Sequence, residues 1–421
     1  MSRSIAVLAA LAFIGASAAC SSDADPIRIG ALYPLSGTQG PGGIEEHRGV
    51  MLAADLVNAD GGIDGRPVEL VSIDVPSADA APDAVELLAD DGISLVVGSY
   101  GSTISAVIAR ATSAEEIVFW ETGAVGMLTD RSEQGVRTFR MPPTGAVLGS
   151  NAIDFVNGPL AEAFGRDPAD LRYAVSFVDD VYGRSVAGGA LQAARELELD
   201  VVGRIGYDVA TVNYDALARR VDRSSADVLF VSAYLADAIA LRRALVRNDV
   251  DLLASIGTSS SYCMPEFGAT LGADAVGLFA SDKPSGASID PSALRAEGAD
   301  LLERARAAYD ARWHEDMSPA ALAGFSAAWA LFAEVMPAAG GSANGVLSPD
   351  AIADAALATE LPMGSLPNGS GLRFGDPGTA TAGDNVAAAA VIWEWLEPGS
   401  AMVVWPPGLA THKVQLLDIA S

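Results

Sequence analysis

The residues best suited to hold a ligand stand at Gly98, Ser99, Tyr100, Gly101, Ser102 and Thr103, where the apolar run LVV gives way to an Ala-rich helical pattern. The first turn of a helix leaves several N–H groups without intrahelical partners and carries the positive end of the helix dipole. Together with the Ser102 hydroxyl, those donors fit one anion, a carboxylate in the first instance, with no buried Lys or Arg to desolvate. Ser102 or Thr103 could instead only cap the helix. Gly123 and Val125, at the end of the next strand-like run, favour a site.

Other chemistry lacks its residues. The three histidines, His47, His314 and His412, have no ligand-like spacing, so no metal is expected. No GxSxG, GxxxxGK or GxGxxG stretch occurs. Cys263 has no base near it in sequence and reads as a small buried hydrophobe. No cofactor is implied, and the chain does not read as an enzyme. An exported hydrolase would need a general base within reach of Tyr182 or Cys263 in a cleft.

The formal charge of −28, with Lys only at 283 and 413, argues against nucleic-acid binding. At its start MSRSIAVLAALAFIGASAAC has one basic residue, an apolar stretch and small residues before Cys20, the pattern of an export signal. Ser17, Ala18 and Ala19 ahead of Cys20 resemble a lipobox, which implies a lipid on Cys20 and an extracytoplasmic, membrane-anchored product. Beyond that segment no stretch reads as apolar for long enough to cross a bilayer. With Cys263 the only other cysteine, no disulfide framework is expected.

The positioning elements alternate. β-rich runs at 27–33, 68–74, 95–99, 117–121 and 138–141 are separated by helical patterns, of which 44–59 places Val50, Ala53, Ala54 and Val57 on one face. The pattern restarts after a helix at 145–166, with runs at 173–179, 201–207, 228–234, 252–257 and 276–280. Apolar runs without strict alternation suit parallel sheets covered on both faces. The expected fold is α/β, two Rossmann-like βα lobes joined by a multi-strand hinge. The boundaries are a signal at 1–19, a linker at 20–26, lobe 1 at 27–143 plus 283–362, lobe 2 at 144–282 plus 363–397, and a tail at 398–421.

In open parallel sheets ligands bind beyond the carboxyl ends of the strands. Those ends carry Tyr33–Gly43, Ser99–Thr103 and Glu121–Val125 in the first lobe, and Asp179–Gly183, Tyr234–Asp237 and Gly257–Tyr262 in the second.

IRIGALYPLSGTQGPGG, LVNADGGIDGRPVELVSID, VVGSYGSTISA, IVFWETGA, SFVDDVYGRSVAGG, VLFVSAYLADA and FASDKPS, in that order, resemble the type I periplasmic binding proteins, in particular the leucine/isoleucine/valine-binding receptors of ABC importers. The resemblance covers nearly the whole mature chain. It implies a monomer that closes over a small solute and delivers it to a membrane permease. It places the ligand carboxylate on Ser102, Gly123 and Val125, aromatic contacts on Tyr182 and Tyr234, and an ammonium on the Gly123 carbonyl, with Tyr100 in the same loop as Ser102. Two positions depart from the family. Ser259 stands where the acid pairing with the ammonium is expected, so Asp237, Glu121 or Asp180 supplies the charge, or the ligand is not an α-amino acid. Val125 lacks the family's threonine hydroxyl and glycine near 42 replaces an aromatic, which implies a wider pocket. Amides, urea and aromatic acids are alternative ligands, and a sensor is an alternative role. Glu121 could instead cap a helix or pair with an Arg, and Tyr182 could serve the hinge or core.

Overall fold

The computed structural model describes residues 25–126, 128, 136–284, 289–340 and 348–417. The export signal and Cys20 lie outside the described residues. The first sheet is wholly parallel, in the order β2-β1-β3-β4-β5. Its elements are β1 (Ile27–Tyr33), α1 (Gly40–Ala59), β2 (Val68–Asp74), α2 (Ala81–Asp90), β3 (Leu95–Gly98), α3 (Ser102–Ala114), β4 (Val118–Glu121) and β5 (Thr138–Arg140). β3 and β4 are buried throughout, as strands with helices on both faces must be.

Crossing at Met141–Thr144, the chain builds a second sheet from α4 (Gly145–Phe155), α5 (Ala161–Phe164), β6 (Arg172–Val178), α6 (Val181–Glu196), β7 (Asp200–Tyr207), α7 (Tyr214–Ser224), β8 (Val228–Ser232), α8 (Leu235–Arg247), β9 (Ala254–Thr258), α9 (Pro265–Leu271) and β10 (Phe279–Asp282). It returns to the first lobe for α10 (Ala296–Trp313), α11 (Pro319–Trp329), α12 (Met336–Ala338) and α13 (Pro349–Ala358), then adds β11 (Val391–Glu397) and β12 (Ser400–Trp405) antiparallel to the second sheet. That sheet runs β12-β11-β10-β9-β8-β6-β7. The two-lobed α/β fold therefore agrees with the sequence reading.

Two assignments need correction. Segment 363–390 was expected in lobe 2, but Leu366, Leu372 and Phe374 sit in the first lobe's core, with the Phe374 ring 5.2 Å from Trp120 and 4.9 Å from Phe139. The chain enters the second sheet only at Val391, and the expected tail supplies its edge strand, β12. Residues Pro319–Ala338 are, by length and apolarity, able to span a membrane, contrary to the expectation. Here that stretch is a core element of the first lobe. Gly49 lets α1 lie directly on α11, since a Cβ there would stand 2.0 Å from the Ala321 carbonyl oxygen.

Candidate functional site

A cavity of about 320 Å³ lies between the lobes. Thr38, Gln39, Pro41, Gly42 and Tyr100 wall it from the first lobe, and Tyr234, Leu235, Ile239, Ser260 and Met264 are among the residues facing them from the second. The wider pocket expected at Gly42 is not what the structure shows. A Cβ on Gly42 would fall 2.3 Å from Cζ of Tyr100, so the Tyr100 ring occupies the space that the missing side chain left. Its hydroxyl hydrogen-bonds Ser260 across the cleft, and burial raises its pKa.

The loops after β3 and β4 form the expected anion side. Ser102 is not the helix cap, because Gly101 holds that position at φ +90° with no side-chain cap bond. The Ser102 Oγ instead accepts from the Gly126 N–H at 2.9 Å, and Gly126 has no room for a side chain between Ser102 and Val181 of the second lobe. Val125 contributes its carbonyl, which accepts from the Gly145 N–H and the Arg140 guanidinium. Arg140, 4% exposed, is itself paired with the buried Asp384.

Glu121 faces inward and does not line the cavity. Its Oε1 accepts from the N–H groups of Ser99 (3.4 Å), Gly123 (3.2 Å) and Ala124 (2.6 Å) and from the Ser105 hydroxyl (3.1 Å). The chain's own carboxylate thus takes donors that sequence spacing alone would leave to a ligand. Burial, with Glu46 nearby, lifts its pKa to about 8.

Glu46, Asp282 and Lys283 form a charged floor that the sequence reading missed. Glu46 is fully buried and accepts from the Thr122 hydroxyl, which also bonds the Tyr33 hydroxyl at 2.7 Å. Its Oε2 lies 3.9 Å from Lys283 Nζ, and burial raises its pKa to about 7. Gly123 is glycine for this reason, since a Cβ there would stand 2.2 Å from that carboxylate. A charge on the apolar face of α1, and an acid ending a β10-like run, were the available signals. Ser259, at φ +27°, does not line the cavity, although its neighbour Ser260 does.

In the second lobe Tyr182 and Tyr234 pack ring against ring, 5.4 Å between centroids. Only Tyr234 lines the cavity; the Tyr182 hydroxyl bonds Thr258 Oγ1 at 2.8 Å and the residue is 2% exposed. Asp180 accepts from the Gly183 N–H as the cap of α6 and from the Tyr234 hydroxyl at 2.5 Å. Asp237 is buried, accepts from the Tyr207 hydroxyl and has its pKa raised to about 6 by desolvation. The structure thus brings Tyr100 and Tyr234 to one cavity, keeps Ser102, Gly123 and Val125 on the loops behind it, and holds Asp237 and Glu121 in separate buried networks. Among the described residues no group of three His, Cys, Asp or Glu could hold a metal ion.

The buried carboxyls fix a pH response. A carboxyl whose folded pKa is raised binds its proton more tightly folded than unfolded, so the stability it contributes is lost as pH climbs through the folded value. Glu46 at about 7 and Glu121 at about 8 therefore destabilise the protein as pH rises toward 8.5. His47, lowered to about 4 by burial, acts oppositely and only below about 6.5. Melting temperature is expected to fall between about pH 6.5 and 8.5, and Glu121→Gln to flatten that slope in a thermal scan.

A family model described as periplasmic binding protein matches residues 26–388. A Leu/Ile/Val-binding protein homolog 8 of Brucella abortus (strain 2308) is 29% identical over 92% of this chain and 93% of its own length. Among solved structures, the branched-chain amino acid transporter substrate binding protein LivJ of Streptococcus pneumoniae, in complex with isoleucine, superposes with a TM-score of 0.70 at 20% identity, covering 90% of this chain and 100% of LivJ. A solute binding protein of an ABC transporter from R. palustris, in complex with benzoate, gives a TM-score of 0.71 at 16% identity, covering 92% and 98%. At those identities the superpositions establish the fold.

Proposed function

This chain belongs to the periplasmic binding protein family, the type I, leucine/isoleucine/valine-binding branch, and from that premise we propose that it is the extracytoplasmic substrate-binding component of an ABC importer. It captures a small carboxylate-containing solute, a branched-chain or other amino acid in the first instance, and delivers it to permease subunits. A lipid on Cys20 keeps the receptor at the membrane. A single acyl chain holds only reversibly, so stable anchoring needs more than one.

The observation that carries this reading is the cavity between the lobes. Its walls come from both, with Tyr100 on one side and Tyr234 on the other, so a molecule seated there contacts both lobes and favours their approach. Ser102 and Val125, whose loops meet the second lobe at Gly126 and Val181, tie the anion side to the same closure. Relatives in complex with isoleucine and with benzoate share the fold, so aromatic acids form the second arm of the test.

Protein from residue 21 onward, scanned thermally against amino acids, amides, short carboxylates, urea and aromatic acids, is expected to melt higher with a neutral aliphatic amino acid. A ligand at 100 times its Kd adds about 2.7 kcal/mol to the folded state. Ser102→Ala is expected to abolish most of that shift. A response confined to amides or aromatic acids would move the substrate class and leave the binding role in place.

A further inference from the structure

Asp282 closes β10, where the chain leaves the second sheet, and is 3% exposed. Parallel pairing sets Ser281 opposite Thr258, so the next residues, Asp282 and Ser259, stand side by side at the carboxyl ends of neighbouring strands. The Ser259 hydroxyl and Cys263 thiol hydrogen-bond the carboxylate, while its Oδ1 has no hydrogen-bond partner. Its charge acts on Tyr100 of the first lobe and on Tyr182 of the second. Asp282 thus sits where the lobes converge.

Charge counting then discriminates. Glu46 and Asp282 are two buried acids and Lys283 the cation between them, 3.9 Å from Glu46, so one negative charge is left over. Oε2 of Glu46 likewise lacks a hydrogen-bond partner. Arg140, the nearest buried guanidinium in this region, is paired with Asp384. An uncompensated buried charge costs several kcal/mol, and either a proton or a cation relieves it.

Resting on the solute-binding reading above, we propose that Asp282, steadied by Ser259, is the counter-ion for a primary ammonium on the ligand. An ammonium brought to the free oxygen of Asp282 makes the floor neutral, with Glu46 and Lys283 balancing each other. The absence of an acid at 259 is then a displacement of the charge by one strand, and Ser259 orients the acid that replaces it.

The test is isothermal titration of L-leucine, L-isoleucine and L-valine, each beside its analogue without the amine, into the wild type and Asp282→Asn. The variant is expected to weaken amino-acid binding at least about 30-fold, the loss that follows from leaving one partner of a buried charge pair alone. Binding of the amine-free acids should change less than about threefold. Adding Ser259→Asp to Asp282→Asn should restore the amino acid. Unchanged amino-acid binding in Asp282→Asn, or an equal loss for both ligand sets, overturns the assignment and leaves the importer reading standing. A wild type that answers only to amine-free compounds, or to none of the panel, overturns both. If Asp282→Asn does not fold, the wild type still decides: a preference for the amine below about tenfold overturns the assignment.

Discussion

Arg140→Met is expected to lower the free energy of unfolding by about 3–5 kcal/mol, because it removes the cation beside a buried carboxylate. Arg140 joins β5 to the Asp384 segment and donates to the carbonyls of Val125 and Gly126, so it fastens the first-lobe loop that meets the second lobe. Replacing both members of the pair, Arg140→Met with Asp384→Leu, is expected to recover most of the loss, since apolar groups of similar volume carry no desolvation penalty. Urea unfolding of the three variants checks this. An Arg140→Met protein within about 0.5 kcal/mol of wild type would show that the pair is not stabilising, as surface pairs are not.

The second large effect is on binding. Gly42→Phe is expected to abolish the response to every ligand of the panel, because its ring must enter space that Tyr100 already fills, with the Cβ alone 2.3 Å from the Tyr100 ring. Tyr100→Gly alone removes one aromatic wall of the cavity and should weaken binding about 30-fold, the loss typical of a buried aromatic anchor. The double variant exchanges the positions of the two rings and should bind within about tenfold of wild type. Titration of the three proteins gives the comparison. A double variant as inert as Gly42→Phe would mean that the Tyr100 hydroxyl, through Ser260, matters more than its ring.

The alternation of strands and helices was readable up to β10 because each apolar run is short, continuous and bounded by Gly, Asp or Asn. Segment 363–390 was not. Its Gly-, Pro- and Asn-rich stretch forms isolated bridges, such as Arg140 with Asp384 and Phe374 with Asn385, which have no period to detect. At the site, local spacing identified Ser102, Tyr100 and Tyr234 but could not show that the Tyr100 ring would cover Gly42, nor that the Ser99, Gly123 and Ala124 amides would turn to Glu121. Those are consequences of packing between segments far apart in the chain. Glu46 and Asp282 escaped for the opposite reason: each sits among apolar neighbours, where a single acid resembles an ordinary helix or strand end until its burial is known.

The contact of α1 with α11 also sets an order of events. Gly49 meets Ala321, so the first helix of the mature protein completes its packing only when a segment some 270 residues further along has been delivered. Strands β6–β10 lie wholly between those two helices in the sequence and can pair among themselves earlier. During export the second lobe therefore takes shape ahead of the first, while Pro319–Ala338, the most apolar long helix in the described chain, has no cover until α1 receives it. A chain stalled before that docking would expose a greasy surface outside the cytoplasm, so the protein's yield is governed by how quickly its late helices arrive.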